Sequence, residues 1–389
     1  MKNAIYLHQD KLGAVRRGHP WIFPKAVARQ TGHFGTGDLV EISSLGGDLI
    51  GVGVYNEHSM YRVRLLAYAE EWAQLGSMEN LLFYRIEQAL LLRQNIGLPN
   101  ESTNAYRLFN SEGDGLSGLT VDRFHQTCVV SSSAYWVQAH KDVISQIILE
   151  VVGVPHLVWI EQTKSLSQDG WKVGSDLKPS GTEEVLEAGV RYQIDFSSTQ
   201  KTGLFLDQRD NHQRVADIAR GKRVLDLYTY TGGFALHAAR AGATKVTAID
   251  SSAAAIVQAQ QNAALNHLET IEFIEGDART YLETAGNYDL IILDPPKLSP
   301  SMRHIQQAKN YYRFLHREVM KSMRPGSLLM TCNCSSALGS QAFSELVSQQ
   351  AKAVGKVARL LGVFGPASCH PTLAAFPEGH YLTAILLAV

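Results

Sequence analysis

The spacing of apolar and polar positions changes character along the chain. Over the first 70 residues the two alternate in short runs, GDLVEISS, DLIGVGVYN and YRVRLLAY, separated by glycine turns. A period of two marks half-buried strands, and several short ones in succession predict a small β-barrel. Leu81, Leu82, Ile86, Ala89, Leu90 and Ile96 then fall near helical spacing and predict a helix over roughly 77–96, ended by Pro99-Asn100. Between 101 and 190 the pattern is mixed. SGLTVDRF and CVVSSSAY predict paired strands, VQAHKDVISQIILEVV an amphipathic helix, VWIEQT and RYQIDF further strands, and SLSQDGWKVGSDLKPSGTEE a polar, exposed loop.

From 221 the alternation becomes strict. RVLDLY, KVTAID, IEFIEGD, YDLIILD and SLLMTCNCS predict strands, separated by helices over 234–241, 252–265, 278–285 and 304–323. A helix over 340–354 then leads to ARLLGVFG and GHYLTAILLAV. Such alternation implies right-handed crossovers and a doubly wound α/β sheet. The last two strands have no helix between them, so an antiparallel hairpin is expected at one edge. That is the arrangement of a seven-stranded, Rossmann-like methyltransferase sheet. The expected divisions are 1–72, 73–190 and 191–389.

Composition narrows the class. A chain of 389 residues accommodates about two to three domains, and 45% hydrophobic with 19% charged residues describes a globular protein. No apolar run approaches the ~18 residues that span a bilayer, and the start MKNAIYLHQD lacks a signal-peptide core. Four cysteines are too few for a disulfide framework, so a cytoplasmic protein without a membrane partner is expected. A net charge of −1 gives no global indication of nucleic acid. Residues 1–66 carry eight Lys/Arg against five Asp/Glu, an excess that a solvated basic face explains as well as a binding surface does.

The most informative segment is VLDLYTYTGGF, residues 224–234. A buried strand that ends in an acid and a glycine turn places backbone N–H groups at the carboxyl edge of the sheet, where α/β folds bind nucleotides. Tyr228, Thr229 and Thr231 precede the adjacent Gly232 and Gly233, so the GxGxxG spacing of a pyrophosphate cradle is absent. A cofactor without phosphates suits this loop, and S-adenosylmethionine is expected. Asp226 would meet its amino-acid end. Asp250, with Ser251 beside it, would accept both ribose hydroxyls, and Asp277, with Ala278, would lie by the adenine amine.

Asp294-Pro295-Pro296 ends the next strand. An acid followed by prolines forms a rigid loop poor in backbone donors, fit to bond the amino edge of a planar base. Cys334 ends the strand after that. A thiolate adding to C6 of cytosine would make C5 nucleophilic, and a cysteine beside Asp294 is placed for that step. A buried, inert thiol is the competing reading. Cys332, two residues earlier, should share its face. A zinc site of Cys332, Cys334, Cys369 and His370 is disfavoured because strand spacing splays the pair, so no metal is expected.

Longer motifs complete the picture. YRLFNSEGDGLSGLTVDRF (106–124), QKTGLFLDQRDNH (200–212), DLYTYTGGFALHAA (226–239), LDPPK (293–297), CNCS (332–335), HPTLAAFPEGHYL (370–382) and the opening RRGHPWIFPKAV resemble the bacterial PUA-domain 23S ribosomal RNA cytosine-C5 methyltransferases, the large-subunit methyltransferase I family. The resemblance covers essentially the whole chain. It implies an N-terminal PUA domain, a central α/β domain and a C-terminal methyltransferase domain, with Cys334 as nucleophile and Asp294 holding the base. It also implies that Gln208 and Arg209 close over cofactor or RNA, and that 23S rRNA or a large-subunit assembly intermediate is the partner, with a homodimer plausible.

The PUA reading gives Arg16, Arg17, Lys25, Arg62 and Arg64 phosphates to track, with His19 and Trp21 stacking or packing nearby. Lys297 follows the prolines where a related branch has a second cysteine, and a phosphate contact suits it. CNC stands where the family usually has aromatic-Ser-Cys. The competing functions are guanine or adenine N-methylation through the DPP loop, and a catalytically idle ribosome-assembly factor.

Overall fold

The computed structural model describes residues 2–172, 174, 180–197, 204–298 and 304–389. The chain forms two compact units, residues 1–181 with 369–379 and residues 182–368 with 380–389. The six-stranded and four-stranded sheets of the N-terminal half thus share one unit, and the second unit begins at Thr182 rather than at 191.

In the first unit, β1 (Ala4–Leu7), β2 (Trp21–Ile22), β3 (Val27–Thr31), β4 (Leu39–Ser44), β5 (Leu49–Tyr55) and β6 (Val63–Tyr68) pair in the order β2-β6-β5-β4-β1-β3. Their inward residues, among them Ile5, Leu7, Val40, Ile42, Val63 and Leu65, form one cluster closed by Leu12 and Val15. Those two lie on a short helix, Leu12–Arg16, that the strand pattern conceals. β7 (Ala105–Asn110), β8 (Leu119–Phe124), β9 (Thr127–Ser132) and β10 (His156–Glu161) form the second sheet in the order β10-β9-β8-β7. The expected first helix is Met78–Asn95, N-capped by Ser77, and a separate helix, Ala69–Leu75, precedes it. The amphipathic helix of the middle segment breaks at His140 into Tyr135–Ala139 and Lys141–Val152.

One sequence expectation is corrected in this unit. Arg64 does not present itself to phosphates. It is 5% exposed, and its guanidinium donates to Asp169 Oδ2 at 2.9 Å and Ser117 Oγ at 3.0 Å. Trp21 likewise packs: its Nε1–H donates to Glu112 and Ser117, and its ring lies 4.0 Å from Tyr61. Arg16 pairs with Asp48 at the surface, while Arg17 and Lys25 are exposed.

The second unit opens with a hairpin, β11 (Thr182–Glu187) and β12 (Val190–Asp195), where the sequence predicted only the second strand. Its large sheet comprises β13 (Arg223–Leu227), β14 (Lys245–Asp250), β15 (Ile271–Glu275), β16 (Leu290–Leu293), β17 (Leu328–Asn333), β18 (Arg359–Phe364) and β19 (Thr383–Ala388). They lie in the order β15-β14-β13-β16-β17-β19-β18, with β19 antiparallel to both its neighbours and the first five parallel. The predicted edge hairpin is therefore present.

Alternate residues of the central strands feed two cores, as the pleat requires. Leu225, Leu227, Ile291, Leu293 and Leu329 pack under helices Ile305–Ser322 and Ser340–Ala353. Val224, Val246, Leu290, Ile292, Met330 and Cys332 pack under helices Arg209–Ala219 and Gly233–Arg240. The segment expected as a helix over 278–285 is a 3₁₀ helix, Ala278–Asn287.

Candidate cofactor and base-binding site

The chain order reverses at β13, which has β14 on one side and β16 on the other, so a crevice opens at their carboxyl ends. The connection after Leu227 is built from left-handed residues: Tyr228 at φ 68°, Tyr230 at φ 51° and Gly232 at φ 89°. Thr229 N–H donates to Ile249 O and ties the loop to β14. Glycine is required where helix Gly233–Arg240 starts, because a Cβ on Gly233 would lie 2.6 Å from His212 Nε2. Thr229 and Thr231 are buried, and Tyr228 pairs its hydroxyl with that of Tyr311 at 3.2 Å.

Asp226 is wholly buried. Its Oδ2 accepts from Thr229 Oγ1 at 2.6 Å and Ala235 N–H at 3.1 Å, whereas Oδ1 has no hydrogen-bond partner. Burial pushes the carboxyl up to about 6 against the pull of Thr229, His212 and Ala235. An orphaned, desolvated carboxylate oxygen at the end of β13 fits a cation, and the α-ammonium of S-adenosylmethionine is one. Asp250 fits the ribose end. Its Oδ2 accepts from Tyr230 N–H and its Oδ1 from Ser252 N–H, both at 2.9 Å, which aims the carboxylate and leaves a lone pair on each oxygen. Ser251 is exposed beside it.

Asp277 behaves differently from the sequence reading, which gave it the adenine amine. Its carboxylate caps the 3₁₀ helix through Arg279 N–H and is clasped by the Arg279 guanidinium, which holds its carboxyl below the ordinary range. Ala278 is buried in the core beneath.

Asp294 follows β16 with Pro295 buried and Pro296 and Lys297 exposed. Gln208 Nε2–H donates to Asp294 Oδ2 at 3.0 Å, and Gln208 is itself oriented by Asn211, whose side-chain N–H donates to Gln208 Oε1 at 2.7 Å. Burial first, then Asp207 and Asp226, push the Asp294 carboxyl up to about 7, so it holds a proton near neutral pH. Arg209, the next residue of the DQR segment, turns away to Asp210 and Ser368. Gln200, also in that motif, lies outside the described residues.

The two cysteines of CNC separate. β17 pairs Thr331 with Leu293, which sets the residues after both strands side by side. Cys332 is 0% exposed within the core, and its thiol is raised well above the ordinary value by burial and by Asp294. Cys334 lies past the strand end and is half-buried. Tyr312, buried on helix Ile305–Ser322, lies near both Cys334 and Asp294, each of which adds to the effect of burial in keeping its phenol protonated. Neither Tyr312 nor Tyr311 is singled out by the sequence, because helical spacing alone assigns both to packing.

Among the described residues, the grouping of side chains close enough to hold a metal is Glu187, His212 and His237, not the cysteines. No helix among them is long and apolar enough to cross a membrane.

Comparison with known proteins agrees with the fold and with S-adenosylmethionine as cofactor. The family model for S-adenosylmethionine-dependent methyltransferases matches residues 142–371, and that for PUA-like domains matches residues 5–68. A ribosomal RNA large subunit methyltransferase I of Alteromonas mediterranea is 31% identical, covering 100% of this chain and 99% of the relative. That of Aeromonas hydrophila is 32% identical over the same shares. A solved structure described as a candidate methyltransferase complexed with SAH superposes with a TM-score of 0.83 at 19% identity, covering 100% of both chains. With its PUA-like domain, its seven-stranded sheet and a crevice suited to S-adenosylmethionine, the chain belongs to the ribosomal RNA large subunit methyltransferase I family.

Proposed function

We propose that this S-adenosylmethionine-dependent enzyme methylates C5 of a cytosine in 23S ribosomal RNA, in the cytoplasm, through a covalent bond between Cys334 and C6. The observation that carries the reading is that a half-buried thiol follows β17 while a proton-holding carboxyl follows the adjacent β16. Cys334 would give up its proton to water and bond through Sγ to C6, while Asp294 passes its proton to N3. C5, now enamine-like, would take the methyl group of the cofactor's sulfonium, which departs as a neutral thioether. Loss of the C5 proton to water, departure of Sγ from C6 and return of the N3 proton to Asp294 would restore the aromatic ring. Cys332, locked in the core, takes no part.

The base must leave its stack to reach this crevice, at a cost of a few kcal/mol. Asp294, with Pro295 and Pro296, would then hold its Watson–Crick edge and face. Arg17, Lys25 and Lys297, all exposed, are suited to phosphates, which fix register rather than sequence. The ribosomal substrate rests on the relatives' names and on the PUA-like domain.

Two measurements test the proposal. Mass spectrometry of ribosomal RNA fragments from cells with and without the protein should reveal one 5-methylcytosine that depends on it. Cys334→Ala should abolish transfer while leaving cofactor binding within about threefold of the parent, since the thiol is assigned to the base and not to the cofactor. A largely active variant would point instead to N-methylation through the DPP loop.

A further inference from the structure

Asp294 is the last link of a hydrogen-bonded chain whose direction is set two residues away from it. Gln208, Asn211 and Arg214 recur every three residues at the start of helix Arg209–Ala219 and so share one face of it. Arg214 Nη1–H donates to Asn211 Oδ1 at 3.1 Å, and its guanidinium lies over the Phe364 ring at 4.4 Å. Asn211 Nδ2–H donates to Gly365 O at 3.3 Å and to Gln208 Oε1 at 2.7 Å. Gln208 Nε2–H donates in turn to Asp294 Oδ2 at 3.0 Å. Gln208 and Asn211 are both buried, whereas Asp294 is half-buried.

Neither amide can turn over without losing its partners. A guanidinium offers only donors, and a peptide carbonyl only accepts. Arg214 and Gly365 therefore fix which end of Asn211 is oxygen and which is nitrogen. Asn211 fixes Gln208 in the same way, so an N–H faces Asp294 Oδ2. In the protonated acid the oxygen that accepts this bond is the carbonyl oxygen, and the acid's own proton is left on Oδ1. Oδ2 keeps a second lone pair. Asp294 then shows a donor beside an acceptor, the complement of cytosine N3 and its N4 amino group. Uracil carries a donor at N3 and an acceptor, O4, and is mismatched at both.

Resting on the reading of Asp294 as the group that meets the target base, we propose that Gln208 and Asn211 are positioning residues that fix which oxygen of Asp294 donates, and so make the site choose cytosine over uracil. A base of the opposite polarity leaves polar atoms of the site unpaired, which discriminates more strongly than shape does. The same bond leaves a signature in pH. An N–H on Oδ2 favours the ionised acid, so its removal should raise the pH at which Asp294 loses its proton. The other titratable groups about Asp294 are Asp207 ahead of the helix, His212 on it, Asp226 from β13, Cys332 on β17 with Cys334 after it, and Tyr312 from helix Ile305–Ser322.

The test compares the parent with Gln208→Leu and Asn211→Asp, assaying transfer to ribosomal RNA fragments that carry cytidine or uridine at the methylated position, from pH 6 to 8. In Gln208→Leu, turnover on cytidine at pH 6 should fall about tenfold, and the preference for cytidine over uridine should shrink about tenfold. The limb that falls above pH 7 should move up by about half to one pH unit. Asn211→Asp keeps its shape and its Arg214 partner but cannot donate to Gln208. The Gln208 amide should then turn over, and the same changes should follow without any alteration next to the base. Calorimetry with S-adenosylmethionine should find both variants within about threefold of the parent. A folded variant with an unmoved limb and an undiminished preference for cytidine reduces the chain to packing and overturns the proposal. An unmoved limb with cofactor affinity lost would place Gln208 against the cofactor and overturn it too. Should Gln208→Leu not fold, Asn211→Asp decides alone. A parent that methylates a base nitrogen instead of C5 would sink the reading of Asp294 on which the proposal rests.

Discussion

Replacing Asp226 with asparagine should stabilise the protein and weaken its hold on the cofactor, two effects of opposite sign from one buried group. The carboxyl rises from 3.8 to about 6 on folding, which corresponds to about 3 kcal/mol against the ionised form. Because the folded value is the higher one, the native state binds more protons than the unfolded chain between pH 4 and 6. The penalty is therefore fully present at pH 7 and relaxes as pH falls through 6. Asparagine carries no such penalty. Its carbonyl can take the donors of Thr229 and Ala235, leaving its NH₂ in the place of the unpartnered Oδ1 at a cost of about 1–2 kcal/mol. The net expectation is a gain of about 1–2 kcal/mol at pH 7 that reverses to a loss of about 1 kcal/mol near pH 4. For the cofactor, an ammonium facing an amide NH₂ loses a charge-assisted bond worth about 2–4 kcal/mol, a weakening of roughly 30- to 1000-fold. Thermal unfolding at the two pH values and calorimetry with S-adenosylmethionine measure both. A variant that is less stable than the parent at pH 7, or that binds within threefold of it, would refute the assignment of Asp226.

Three further outcomes follow from the site and its surroundings. Cys332→Ala should cost about 1 kcal/mol for the small cavity it leaves and retain methyl transfer, as thermal unfolding and a methylation assay would show; loss of chemistry in a folded variant would move the nucleophile to the wrong sulfur. Arg64→Ala strands the buried carboxylate of Asp169 and should destabilise the first unit by about 3–5 kcal/mol, measured by denaturation, whereas a phosphate-tracking arginine would alter RNA affinity and leave stability unchanged. The Asp294 carboxyl, raised to about 7, is protonated below that value, so the transfer rate should decline as pH climbs past 7 along a limb that Asp294→Asn lacks; a rate indifferent to pH between 6 and 8 would remove its role as donor.

The parts of the fold legible in the sequence are those fixed by local pattern. Buried runs that end in an acid locate the strand ends of β13 and β14, and the missing helix before β19 gives the edge hairpin. β11 was missed because TEEVLE carries three acids, which suit a loop until the partner β12 is known. Strand parity places Cys332 and Cys334 on one face, but β17 stops at Asn333, so only the first thiol is carried into the core. Arg64 and His212 share a deeper difficulty. Each is a polar residue that reads as surface, and each is buried where it meets a carboxylate distant in sequence, Asp169 or Glu187. Periodicity records where a chain meets apolar surface, and it carries no information about which remote acid will neutralise a cation. Hence the rim assigned to the cofactor is legible from the chain alone, while the buried Glu187–His212 contact emerges only once β11 and helix Arg209–Ala219 are brought together in space.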